Sequence, residues 1–177
     1  EVFSIKYFLC NKIVSGVYKD TNPMYAYKVN SKFKIYRPLN SKYTKWRTNL
    51  EITDIQGYAQ LPDTNNLLII TKSLKDIMVL YEMGYCAVSP SSETTFIPED
   101  ILNDLKARFK KILILFDNDE TGIKKAQEYS NKYNLIQFVI DNKFNAKDIS
   151  DAVKLNGFDV IKNWLNTKIE ELCVQHL

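Results

Sequence analysis

The sequence is poor in the residues that build zinc sites and disulfide frameworks. It has one histidine, His176, and three widely spaced cysteines, Cys10, Cys86 and Cys173, with no C-x-x-C pair. A zinc site built from this chain alone is therefore not expected, and reduced, intracellular thiols are the better reading. No apolar run reaches the roughly 18 residues of a membrane span and no signal peptide is recognisable, so no membrane partner is expected. Internal repeats and low-complexity tracts are also missing. The chain opens at Glu1 without Met, which suggests a piece of a longer protein.

What is present is ordinary in bulk and uneven in detail. Hydrophobic residues make up 45% and charged residues 25%, enough for one domain or two small lobes with a proper core. The net charge is +3, but residues 1–62 hold ten basic and four acidic side chains, and residues 63–177 hold fourteen and seventeen. A basic first third joined to a mildly acidic remainder predicts two lobes with different tasks, 1–62 and 63–177.

In the first lobe, short strands are expected near Val2–Leu9 and Lys12–Tyr18. Polar and apolar residues then alternate from Tyr25 to Pro38 as in a hairpin with one wet face. From Lys28 to Arg47 there are seven basic residues and no acid, with Phe33, Tyr36, Tyr43 and Trp46 interleaved. Cations for phosphates and aromatic faces for bases suit a surface for single-stranded nucleic acid, with Lys32, Lys34, Arg37, Lys45 and Arg47 along the backbone. A solvated sheet with a lysine-rich face gives the same pattern. Residues 54–66, rich in turn formers, read as a linker.

Beyond it the pattern becomes strand and helix in alternation. Strands are expected at Leu67–Ile70, Cys86–Val88, 112–116 and Ile136–Ile140. Helices are expected over Ser73–Met83, Pro98 to Phe109, 122–133, Asp148–Leu155 and Phe158–Cys173. This order predicts an α/β fold with a parallel, Rossmann-like sheet. Its focus is Ile112-Leu113-Ile114-Leu115-Phe116-Asp117-Asn118-Asp119-Glu120-Thr121-Gly122. The apolar run reads as a buried strand, and Asp117 and Asp119, two apart in extended chain, face one spot at its carboxyl end. Open α/β sheets bind ligands at that edge, and two close carboxylates call for a hard cation such as Mg²⁺ or Mn²⁺. A strand-end turn with solvated acids is the plainer alternative.

With these residues in place, the second lobe resembles a Toprim domain, the catalytic fold shared by primases, topoisomerases and some nucleases. The Asp-x-Asp at Asp117 and Asp119, Gly122 after it, and Lys147-Asp148-Ile149-Ser150-Asp151 resemble the pattern of phage-type primases. Residues 33–49 with Gly57-Tyr58 resemble the basic lobe that precedes Toprim in primases and primase-helicases. The resemblance implies a DNA primase core that joins ribonucleoside triphosphates into RNA primers on single-stranded DNA. Asp117, Asp119 and Asp148 would hold Mg²⁺ or Mn²⁺, with Asp151 a weaker candidate. It also implies a zinc-binding module and a replicative helicase as partners, in cis or in trans. The location implied is the cytoplasm of a phage-infected bacterium or an organelle with phage-type replication.

One departure stands out. The family's first-strand glutamate, followed by glycine, falls on Lys72 and Ser73, and an ammonium cannot ligate Mg²⁺. Lys72 holds a triphosphate or template phosphate, or Glu93 has taken the lost acid's place, or the domain has become a binding module. Lys75 and Asp76 read as a solvated pair on the first helix, with Asp76 a secondary candidate for bracing the site. Lys124 and Lys125 read either as part of a phosphate path or as surface lysines. The rivals in other classes are a Toprim nuclease and a haloacid-dehalogenase-like phosphatase, whose Asp-x-Asp-x-Thr opening also fits Asp117–Thr121. In such phosphatases that motif ends the first strand of the fold, whereas two strand-helix units are expected before it here.

Overall fold

The structure, a computed structural model, describes residues 2–4, 23–41, 43–92 and 94–174. The expected strand at Lys12–Tyr18, most of Val2–Leu9, and Glu93 lie outside the described residues. Among the described residues, two four-stranded sheets organise the chain. The first is antiparallel, in the order β1 (Val2–Ser4), β2 (Tyr25–Val29), β3 (Lys32–Tyr36) and β4 (Trp46–Thr48). Its small core is Met24, Ala26 and Ile35, with Phe33 against them.

The second sheet is parallel throughout and comprises β5 (Asn65–Ile70), β6 (Cys86–Val88), β7 (Phe109–Leu115) and β8 (Ile136–Phe138) in the order β6-β5-β7-β8. Five helices connect or flank these strands: α1 (Leu74–Glu82), α2 (Glu99–Arg108), α3 (Glu120–Tyr133), α4 (Ile149–Asn156) and α5 (Phe158–Val174). The central pair β5 and β7 is buried where its sequence is continuously apolar, at Leu68–Ile70 and Ile112–Leu115. Helices cover both faces, giving one cluster with α1, α4 and α5 and another with α2 and α3. That sandwiching is why these strands read as unbroken apolar runs. Among the described residues no helix is long and apolar enough to cross a membrane.

The expected elements of this lobe are all present with small shifts at their ends. The segment expected to be a loose linker is packed. Ile55 belongs to the α2/α3-side core, with Tyr58 and Leu61 against it. Gln56 makes a two-way backbone bridge to Ser89, and its side chain donates to Ser89 Oγ and Pro90 O at 2.7 and 2.6 Å. Gly57 has φ +83°, and a Cβ there would sit 2.7 Å from Ala87 O. The glycine is thus required both by its left-handed backbone and by close approach to β6. Turn-forming composition marked the segment as irregular but not as exposed.

Candidate metal centre

The carboxyl ends of β5 and β7 lie side by side, so the residues just past them, Lys72 and Asp117, meet. Lys72 Nζ is 3.8 Å from Asp117 Oδ2, and both side chains are largely buried. Three helices begin at this same edge, each closed by a side chain. Ser73 Oγ accepts from the Asp76 N–H at the start of α1, Asp119 Oδ1 from the Gly122 N–H at α3, and Asp148 Oδ1 from the Asp151 N–H at α4. Acids at two of the caps are held at the site by the same bonds that start the helices.

Three carboxylates converge. Asp76, Asp117 and Asp148 each offer an oxygen, and these atoms lie within 4.8 Å of one another. This donor set of hard oxygens at one point fits Mg²⁺ or Mn²⁺. Asp76 is the member that sequence reasoning undervalued. It was expected on the solvated face of α1, but it is 2% exposed and accepts from Ser73 Oγ and Ser150 Oγ, both at 2.6 Å. Burial, then the charge of Asp148, pushes its pKa up to about 6 against those two hydrogen bonds. Two signals pointed to it. Ser73-x-x-Asp76 is a capping pair, and Asp76 borders the buried stripe of Ile77 and Leu80.

Asp117 and Asp119 do face one spot, but what stands between them is an ammonium. Lys147 Nζ lies 3.3 Å from Asp117 Oδ2 and 2.9 Å from Asp119 Oδ2. Asp119 lies outside the trio and divides its oxygens between Lys147 and the cap of α3. Burial raises the Asp117 pKa, while Lys72 and then Lys147 pull it back. Hydrogen bonds from Lys147 and the Gly122 N–H hold Asp119 below the ordinary carboxylate value. Lys147 is raised in turn, chiefly by its bond to Asp119.

Asp148 caps α4 and also offers an oxygen to the trio. It also takes Lys75 at 3.0 Å, and Asp151 stands 3.7 Å from the same ammonium. Lys75 is therefore paired across to α4 and not with Asp76. Between the two aspartates, Asn118 faces the other way and ties the loops together. Its N–H donates to Lys147 O at 2.6 Å, and its amide donates to Ile140 O and Asn142 Oδ1. Lys125, read either as part of a phosphate path or as a surface lysine, is paired with Glu128 at 2.9 Å and lies 3.9 Å over the Phe96 ring, while Lys124 is exposed.

The basic residues of the first lobe are divided between two faces of its sheet. The pairings Tyr27↔Lys34, Tyr36↔Trp46 and Lys34↔Thr48 put Lys32, Lys34, Tyr27, Tyr36 and Trp46 on one face. The pairings Ala26↔Ile35↔Arg47 put Arg47 on the other, where it is exposed and its guanidinium bonds Tyr43 O. Lys32 is in ion pairs with Asp54 at 2.7 Å and Glu51 at 3.2 Å. Lys34 lies over Trp46 and donates to Ser91 O, and Lys45 lies over Tyr36. Arg37 is half-buried, its N–H bonded to Lys45 O. The rings stack on one another, Tyr36–Trp46 at 4.5 Å and Tyr27–Trp46 at 6.1 Å, so they hold lysines in place. Tyr43, 83% exposed, is the open ring. Burial raises the Tyr27 hydroxyl pKa, with Tyr36 adding to it and Lys75 opposing it.

A parallel sheet with acids gathered at adjacent strand ends and helix caps is an α/β arrangement able to hold a cation, and it is similar to a known family in sequence and to known proteins in fold. Residues 69–153 match the family described as Toprim-like, so that segment has a Toprim-like fold. Among solved structures the chain is similar to the DnaG primase catalytic domain bound to single-stranded DNA, with TM-score 0.58, 17% identity, and coverage of 81% of this chain and 52% of that one. The E. coli primase catalytic core gives 0.57, 17%, 81% and 52%. The primase fragment of the bacteriophage T7 primase-helicase protein gives 0.56, 17%, 80% and 61%. The chain spans about half the length of the two catalytic cores it matches. No curated protein matches it by sequence. The likeness covers more of the chain than the Toprim-like segment, so the fold is similar to about half of a primase catalytic core.

Proposed function

We propose that this chain is the RNA-polymerase core of a DNA primase, making short RNA primers on single-stranded DNA with Mg²⁺ or Mn²⁺. The observation that carries the reading is the meeting of Asp76, Asp117 and Asp148 at the carboxyl edge of β5 and β7. Asp76, Asp117 and Asp148 would hold the ion, which when bound draws charge from the phosphates and eases loss of pyrophosphate. The reaction joins the 3′-oxygen of the growing RNA to the α-phosphorus of a ribonucleoside triphosphate. The hydroxyl proton is released and the bond to pyrophosphate breaks. Asp119 fixes the start of α3 and keeps Lys147 at the site. Lys147 and Lys75, each about half exposed, are the cations placed to meet the triphosphate.

The template would follow the face of the antiparallel sheet that carries Lys34 and Lys45, with Arg37 and the exposed Tyr43 nearby, Arg47 on the opposite face and Lys32 bracing the sheet. A zinc-binding module for initiation and a replicative helicase are the expected partners, in a phage-infected bacterial cytoplasm or an organelle. The test is Mn²⁺- and Mg²⁺-dependent extension of a short RNA primer annealed to single-stranded DNA, which bypasses the initiation module. Extension is expected from the wild-type chain and a loss of at least about 100-fold from Asp117→Asn. One feature favours a second reading, a Toprim-derived binding module: Lys72 is buried where the family carries its glutamate. Unimpaired DNA binding with no extension under either metal selects that reading.

A further inference from the structure

We propose that Lys72 is a built-in substitute for a second divalent ion beside Asp117, so that the site takes one ion, between Asp76, Asp117 and Asp148, and not two. The proposal rests on the metal-centre reading above. Sites that transfer phosphoryl groups commonly hold two ions about 3.5–4 Å apart, sharing a carboxylate between them. Here Asp117 is the carboxylate placed to be shared. It belongs to the acidic trio with Asp76 and Asp148. Its Oδ2 also meets Lys72 at 3.8 Å and Lys147 at 3.3 Å, and Lys147 in turn holds Asp119 at 2.9 Å.

The two lysines are not equivalent. The Lys147 side chain is 54% exposed and can turn out to solvent, leaving Asp117 and Asp119 to a ligand. The Lys72 side chain is 6% exposed and enclosed at the end of β5, where the preceding Thr71 is pinned by its N–H to Val88 O at 2.8 Å. A second ion at Asp117 Oδ2 would therefore meet a positive charge that is enclosed beside it. Lys72 supplies one permanent charge at the position, at the cost of the coordination an ion would offer. It also weakens the remaining ion site, because a fixed cation close by opposes a second cation.

Mn²⁺ is the probe, since the free ion is counted directly by electron paramagnetic resonance as metal-free protein is titrated. The wild-type chain is expected to bind one Mn²⁺, and Lys72→Glu two. Lys72→Met, which removes the charge and keeps the bulk, is expected to bind one at least about tenfold more tightly. Two ions in the wild type overturn the proposal, as does one ion in a Lys72→Glu chain with the wild-type circular dichroism spectrum. If Lys72→Glu does not fold, Lys72→Met decides: affinity equal to or weaker than wild type rejects the built-in cation. Asp148→Asn separates this idea from the one beneath it. No Mn²⁺ bound by the wild type, or binding unchanged in Asp148→Asn, overturns the metal centre itself.

Discussion

Asp76 is buried, ionisable and close to a second carboxylate, so its protonation is written into the stability of the metal-free chain. Its pKa of about 6 lies above the ordinary 3.8, so the folded state keeps the proton between those values when the unfolded chain has lost it. The resulting stability is complete below about pH 4 and is lost as pH rises through 6. Against Asp76→Asn, which cannot ionise, the wild type is expected to lose about 3 kcal/mol of relative stability between pH 3 and pH 7. Denaturant unfolding of both proteins at the two pH values, without divalent ions, measures it; a difference that does not move with pH rejects the assignment. Asp76 was hard to read in the sequence because its burial depends on Ser150, 74 positions away on α4, which helical periodicity cannot supply. Asp117 was legible, since an apolar strand and its first polar residue are adjacent in the chain.

At the scale of elements, the turn from β7 into α3 leaves no room for a side chain at Gly122. A Cβ on Gly122 would lie 2.2 Å from Asp117 O and 2.8 Å from Asp117 C and Cβ, all parts of the chain that presents the site. Gly122→Ala is therefore expected to cost about 3 kcal/mol and to displace Asp117, lowering Mn²⁺ affinity as well. Thermal melting and the Mn²⁺ titration check the two effects; a normal melt with normal affinity contradicts the packing argument. The strands and helices of this lobe were legible because apolar runs, caps and punctuating glycines coincide. Residues 54–61 were not. Their Gly and Gln composition matches a loop, and only the pairing of Gln56 with Ser89 shows that β6 has a neighbour there. The aromatic residues of the first lobe were recognised as a group, but their stacking on one another follows from cross-strand register, which spacing alone left open.

For the whole molecule, a basic antiparallel sheet is joined to a parallel sheet whose carboxyl edge gathers Asp76, Asp117 and Asp148. Single-stranded DNA binding is expected to fall steeply with salt. Lys34→Ala and Lys45→Ala are each expected to reduce the logarithmic salt slope by about 0.7. Anisotropy of a labelled oligonucleotide over a salt series reads this directly, and an unchanged slope in both variants would place the template elsewhere. Arg108 ties the lobes' junction, with its guanidinium bonding Leu61 O and Pro62 O at 3.2 and 2.9 Å, pairing with Asp104 and lying over Tyr58. Arg108→Met should destabilise the chain by about 2 kcal/mol and expose residues 54–62 to early hydrogen exchange.

The capping of α1, α3 and α4 at one sheet edge has a consequence for the chain without its ion. The unpaired N–H groups of three helix starts, and the partial positive charge that accompanies them, point towards the same few carboxylates. Together with Lys72, Lys75 and Lys147 they offset the repulsion that would otherwise push the acids apart. A chelator should therefore leave the protein folded, lowering its melting temperature only by the share that mass action gives to a bound ion. That behaviour is the opposite of a structural zinc module, whose fold is lost with its metal.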